Sequence, residues 1–274
     1  MFATAVIVFR EVIEAALIVA VVLGASRGIA GRGRWVGAGI GLGLTGAALV
    51  AVFADLITSA FSGNGQELLN AGILLAAVGM LAWHNIWMSS HGRTLANEVR
   101  SVGQDVQSGR RPLTALLFIT FAAVMREGSE VVLFLWAIGT GGGGGEMVVG
   151  GLLGLGAGVL VGVLMYRGLL KIPLRHFFTV TGWLVLLIAA GLAAQAAGFL
   201  NQAGLLPALG NSLWDSSRLL DQSSLVGKML HTLIGYTARP SGIQLLFYAV
   251  TLLTIFGLMR WVGRRHHPDG ARAS

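Results

Sequence analysis

The chain has 274 residues, of which 55% are hydrophobic and 11% charged, and its mean hydropathy is +0.76. That balance excludes an ordinary soluble protein and indicates an integral membrane protein. Cysteine is absent, which excludes a disulfide framework and a thiolate metal site, so any metal is held by oxygen or nitrogen.

About 20 apolar residues carry a helix across a bilayer core of about 30 Å. Seven spans are predicted on that basis, at 3–24, 35–57, 67–88, 113–138, 147–166, 177–198 and 243–262. The prolines at 112, 173, 207, 240 and 268 all fall outside them, as uninterrupted helices require. The first run has no basic region ahead of it and no small-residue cleavage site, so it is read as a span and not as a signal peptide. Charges interrupt it at Arg10-Glu11-Val12-Ile13-Glu14, and the fourth span is interrupted by Arg126-Glu127-Gly128-Ser129-Glu130. The second and fifth spans are glycine-rich, with Gly37/Gly41, Gly39/Gly43 and Gly150/Gly154/Gly158/Gly162 at four-residue spacing, a pattern of close helix packing. The third ends near His84 and His91, read as interface or loop histidines. Gly141 to Gly145 reads as an outer loop, and no Gly-Lys-Ser/Thr follows it to make a phosphate loop. Within 199–242, Leu219, Leu220, Leu225, Val226, Met229, Leu230, Leu233 and Ile234 recur at helical spacing. They predict an amphipathic helix acting as a structural lid, capped by Asp221 or Ser223. Beyond the seventh span, 263–274 is a basic tail containing His266 and His267.

The basic residues segregate. Loops 25–34, 89–112 and 167–176 and the C-terminal end carry most of the Lys and Arg against Glu98, Asp105 and Asp269. The opposite face carries Arg218, Lys228 and Arg239 against Asp55, Glu67, Glu146, Asp215 and Asp221. The net charge of +7 is therefore attributed to the positive-inside rule and not to nucleic-acid binding. The N-terminus is placed outside and the C-terminus in the cytoplasm of an inner, cytoplasmic membrane.

With that topology the two R-E-x-x-E copies run antiparallel. Spans 1–3 (about 3–88) and 4–6 (about 113–198) read as an inverted 3+3 repeat with a seventh helix added, together one all-α transmembrane domain over 1–262. Helix geometry puts Glu11 and Glu14 on one face, and likewise Glu127 and Glu130. A charge near the centre of a span costs about 2.5–3.5 kcal/mol even on the lenient scale, so these groups must turn inward and pair. Arg10 and Arg126 offset two of the four carboxylates, leaving 2 − 4 = −2 for protons or a cation to neutralise. Carboxylates are hard ligands suited to Mg²⁺, Ca²⁺, Mn²⁺ or iron, and crowded ones titrate as a coupled set that gives up protons to a metal. A purely structural reading, in which the Arg–Glu pairs lock two helices together, is weaker because an apolar pair would hold helices at less cost.

These residues resemble the high-affinity iron permease family, which is oxidase-dependent and carries Arg-Glu-Gly-Leu-Glu in its first and fourth spans. The resemblance extends over seven spans, the stretch Trp83 to Arg100 and the outer segment Leu213 to Tyr236. It implies transport of iron, delivered as Fe³⁺ by an extracytoplasmic ferroxidase or other delivery protein, with Glu11, Glu14, Glu127 and Glu130 as ligands and Arg10 and Arg126 as supporting ion pairs. Val12-Ile13 and Ser129 stand where the family motif has Gly-Leu and Leu. Asp55 and Glu67, flanking an outer loop (58–66) without basic residues, would give a cation-concentrating vestibule. No permanently bound cofactor and no nucleic-acid partner are expected, and homo-oligomerisation stays open. Three alternatives remain: a carboxylate-metal enzyme in the membrane, a carrier of another divalent cation, and an anion carrier built on the arginines. The first lacks the His-Glu-x-x-His or Glu-x-x-His pattern of such enzymes. The last is opposed by the excess of Glu over Arg.

Overall fold

In the computed structural model the chain is described over residues 1–60, 65–139, 144–168, 174–210, 212–222 and 224–265, without the side chains of 57–60, 88–97, 174–178, 225, 232 and 263–265. Its helices are α1 (Phe2–Ala25), α2 (Arg32–Ala60), α3 (Gln66–Gln107), α4 (Thr114–Gly139), α5 (Gly144–Tyr166), α6 (Leu174–Gln202), α7 (Leu225–Ile234) and α8 (Gly242–Arg265), and no strand occurs among the described residues. Residues 61–64 of the proposed vestibule loop, most of the Gly141–Gly145 run, Ser223, the His91 side chain and the tail from 266 lie outside this description.

Among the described residues, five segments are long and apolar enough to cross a membrane: Arg32–Leu56, Gln66–Trp87, Gly144–Tyr166, Thr179–Gln202 and Gly242–Val262. These correspond to the second, third, fifth, sixth and seventh predicted spans. α1 and α4 are as long, at 24 and 26 residues, but each carries its motif Arg and two Glu at mid-helix. The motif charges alone separate them from the other five.

The described residues group into two compact units. One takes Met1, Ala3–Ala60 and Arg93–Phe177; the other takes Phe2, Phe61–Gly92 and Phe178–Ser274.

In the first unit, glycine sets the helix contacts. α2 lies on α4 through Gly39 and Gly43, where an added Cβ would stand 2.6 Å from the Leu117 carbonyl oxygen and 2.8 Å from Val124 Cβ. Gly37 and Gly41, at the same spacing, face open space. α5 presents Gly150, Gly154, Gly158 and Gly162 to α1, and a Cβ on the last three would approach Ala5 O at 2.5 Å, Val12 Cγ1 at 2.7 Å and Ala16 Cβ at 2.6 Å. Small residues let the backbones close, so that dispersion replaces the hydrophobic effect that lipid cannot supply. The outward faces are apolar: Leu42, Leu49 and Phe53 on α2 and Leu152, Leu153 and Leu160 on α5 are exposed.

α3 differs from expectation. The sequence reading ends this span near 88 and puts 89–112 in a basic loop, whereas the helix runs 42 residues, to Gln107. Its continuation is amphipathic enough to have its own core: Val99 and Val106 pack with Val22, Val36 and Leu116. A Cβ on Gly103 would lie 2.5 Å from that of Ala25. The turn that follows the helix passes through Gly109, whose φ of 75° only glycine adopts freely. Beyond it the Arg110 and Arg111 amides both donate to Asp105 O.

The second unit is organised on the alanine face of α6, where Ala189, Ala190, Ala193, Ala196 and Ala197 are buried. The Asn85 amide donates to Gly182 O at 3.0 Å. The 199–242 connection contains a helix, as expected, but a shorter one: α7 starts at Leu225 and its cap is Ser224, whose Oγ accepts from the Gly227 amide at 3.0 Å. Leu219 and Leu220 precede it in a turn formed by bonds to Ser216 O. α7 closes on Gly235, at φ 72°, which sits against Gly191 of α6 with an added Cβ only 2.5 Å from Gly191 Cα. Polar bonds fasten the connection. Tyr236 Oη donates to Leu220 O at 2.9 Å and lies 2.7 Å from Ser216 Oγ. His231 Nδ1 is 2.7 Å from Tyr236 O and its Nε2 is 3.2 Å from Gln195 Nε2.

A candidate metal centre in the paired motif helices

Each R-E-x-x-E copy lies within uninterrupted helix, so its arginine and last glutamate are one turn apart and meet. Arg10 Nε is 2.9 Å from Glu14 Oε1, and Arg10 Nη1 is 3.7 Å from Glu11 Oε1. Arg126 Nε donates to Glu130 Oε1 at 3.3 Å and lies 3.8 Å from Glu127 Oε1. The two copies repeat one local arrangement.

Their surroundings differ. The Arg10 side chain is 3% exposed, and that of Arg126 is 35%. Glu14 is at 2% and Glu130 at 15%. Identical charge patterns therefore occupy a sealed position on α1 and a more open one on α4.

Across the two helices, Glu11, Glu127 and Glu130 each offer a carboxylate oxygen, and these lie within 4.8 Å of one another. Ligands on opposite sides of a hard cation stand about 4–5 Å apart, so the spacing of the trio already suits one ion. Three of the four predicted ligands are thus together. Glu14 is held on Arg10 and is not one of the trio. Asp55, near the end of α2, and Glu67, in the first turn of α3, are both exposed to solvent. His84, read from sequence as an interface or loop residue, is 2% exposed within α3 of the second unit.

The positions between the charges point to packing. Val12 lies against Gly158 of α5, and Gly128 lies against Ala47 of α2, where a Cβ on Gly128 would stand 2.8 Å from that of Ala47. A large residue opposes glycine in one copy, and glycine opposes a small residue in the other. The departure from the family motif at Val12 is therefore matched by its neighbour. Ser129 returns its hydroxyl proton to Arg126 O at 2.8 Å, which satisfies it within its own helix.

Two buried residues that the charge motif does not single out are Thr4 and Thr120, at 0% exposure. They share the 116-residue offset that relates Glu11 to Glu127, and extending the motif comparison by two turns would have found them.

The chain matches the profile of the Iron permease FTR1 family over residues 1–263. It is 33% identical over 258 residues to a protein named ferrous iron permease EfeU from Yersinia pestis, covering 92% of this chain and 91% of the relative. It is 34% identical over 266 residues to proteins of that name from Shigella sonnei and Escherichia coli O157:H7, covering 94% of this chain and 96% of each relative. No solved structure matches significantly. Apolar helices of crossing length, paired buried motifs and similarity over nearly the whole chain lead to one conclusion: this multi-pass membrane protein belongs to the iron permease FTR1 family.

Proposed function

We propose that this protein imports iron across the cytoplasmic membrane, binding it near the midplane through the four motif glutamates. The observation that carries the reading is the convergence of Glu11, Glu127 and Glu130, from two helices, within 4.8 Å in a chain of the iron permease family. Glu14 is the fourth ligand, held on Arg10 until an ion draws it in. Arg10 and Arg126 keep the empty site from carrying four unbalanced negative charges.

In this reading α1 to α6 and α8 are the seven spans, with the N-terminus outside and the C-terminus in the cytoplasm. α1–α3 and α4–α6 form an inverted repeat, a design common in transporters whose site lies between halves. Matched contacts support the repeat. A Cβ on Gly43 would meet Val124 Cβ and the Met125 amide; one on Gly154 would meet Val8 Cβ and the Phe9 amide. Val124 and Met125 are the residues 116 positions after Val8 and Phe9.

The protein acts as a carrier with no chemistry of its own, and Fe³⁺ supplied by an extracytoplasmic ferroxidase is the substrate best suited to hard carboxylates. The name of the relatives, ferrous iron permease, favours a second reading, in which the ion presented is ferrous.

The test is uptake of radioactive iron into proteoliposomes, with Fe³⁺ as a soluble chelate and Fe²⁺ kept reduced by ascorbate. Wild-type protein should accumulate iron, and Glu11→Gln and Glu127→Gln should each abolish accumulation. Wild-type rates in both variants would remove the carboxylate site. Transport of Fe²⁺ alone would replace the ferric reading with the ferrous one.

A further inference from the structure

A threonine or serine within a helix ordinarily returns its hydroxyl proton to a carbonyl one turn back. Thr45 does so to Gly41 O at 2.9 Å, and Ser26 to Val22 O at 2.7 Å. Thr4 and Thr120 do not. Both side chains are 0% exposed, and neither Oγ1 has a hydrogen-bond partner among the described residues. Burying a hydroxyl in that state costs stability that a valine of the same shape would not.

The two exceptions occupy equivalent places. Thr4 stands seven residues before Glu11, and Thr120 seven before Glu127. Seven residues are nearly two turns, so each hydroxyl shares a helix face with its glutamate, about 10.5 Å away along the axis. Carbon atoms of both meet the glycine helices: Thr120 Cβ would lie 2.9 Å from a Cβ on Gly39, and Thr4 Cγ2 would lie 3.9 Å from one on Gly151. Valine could make those contacts equally well, so packing does not account for the hydroxyls.

We infer that Thr4 and Thr120 are paired neutral-oxygen stations for a hydrated iron cation, one on each side of the carboxylate trio. The inference rests on the transport reading above. In that antiparallel arrangement Thr4 lies on the outer side of the glutamates and Thr120 on the inner side. A hydroxyl accepts a hydrogen bond from metal-bound water without adding charge, so it binds the ion weakly. Permeation needs binding strong enough to admit an ion yet weak enough to release it. A tight anionic site between two weak neutral ones meets both demands.

The test compares Thr4→Val, Thr120→Val and the corresponding serine variants with Glu127→Gln, by proteoliposome iron uptake and by iron titration of the detergent-solubilised protein. Each valine variant should lower the maximal uptake rate about tenfold, with iron-binding stoichiometry unchanged and thermal stability retained or raised. Serine, which keeps the hydroxyl, should retain wild-type uptake. Thr4→Val should slow loading in the first turnover, and Thr120→Val should leave loading intact and slow release. The stations are rejected if the valine variants transport at the wild-type rate. They are also rejected if lost uptake follows a fall in stability that serine does not restore. Normal valine variants beside an inactive Glu127→Gln would reject the stations and leave the carboxylate site standing; an active Glu127→Gln would reject both.

Discussion

Arg10 and Glu14 form an ion pair at 2.9 Å with both side chains almost wholly buried, whereas the corresponding pair on α4, Arg126 and Glu130, is 3.3 Å apart with its arginine 35% exposed. Removing one partner of a sealed pair leaves a lone charge. Arg10→Leu is therefore expected to cost about 3–5 kcal/mol. The Arg126 side chain is the more exposed of the two, and Arg126→Leu should cost less than Arg10→Leu. Unfolding of the two variants in matched detergent measures the difference, and equal losses would contradict it.

The glycine stripes predict a positional contrast within single helices. Gly154→Ala would press a methyl against the Ala5 carbonyl oxygen and the Phe9 amide, which are backbone atoms that cannot swing aside. A loss of about 1–3 kcal/mol is expected from such overpacking. Gly156→Ala and Gly41→Ala meet nothing within 4 Å and should be neutral. The comparison is made by thermal unfolding of the three variants.

Tyr236 bridges Ser216 Oγ and Leu220 O through one hydroxyl. Tyr236→Phe should destabilise the 199–242 connection by about 1–3 kcal/mol. The loss should appear as faster amide exchange at Ser216 to Leu220, with exchange in α2 and α4 unaffected.

Asp215 gives the connection an acid limit. The Ser217 hydroxyl and amide, followed by Arg239, hold its carboxyl below the ordinary value of 3.8. Because the folded-state value is depressed, the stabilisation is fully present above about pH 4 and is lost as pH falls through the lower folded value. Protection of the Ser217 amide should persist at pH 5 and fade in stronger acid. Asp215→Asn should remove that pH dependence.

Helix content was legible because lipid demands long apolar runs, and the boundaries of α1, α4 and α8 lie within a few residues of the sequence reading. The extension of α3 was not legible. Its residues past 88 are mixed and basic, and only tertiary packing of Val99, Gly103 and Val106 makes helix of them. The α7 cap is Ser224 and not Asp221 or Ser223, since neighbouring serines and an aspartate offer the same local chemistry. At the candidate centre, spacing along a helix placed the paired charges correctly but could not say which carboxylates would meet across helices. Nor could it separate Gly39/Gly43 from Gly37/Gly41, because a four-residue period fits either face and only the partner helix distinguishes them.

The glycine contacts also bear on how variants of this protein should be interpreted. Backbone-to-backbone seating commits α1 to α5 and α4 to α2, so each glutamate-bearing helix moves with a companion that carries no ligand. A methyl added at Gly158 or Gly43 would tilt a carboxylate away from its fellows without touching it. On the proposed carboxylate site, loss of transport in a substitution scan would then extend from α1 and α4 to α2 and α5, two helices that carry none of the four motif glutamates.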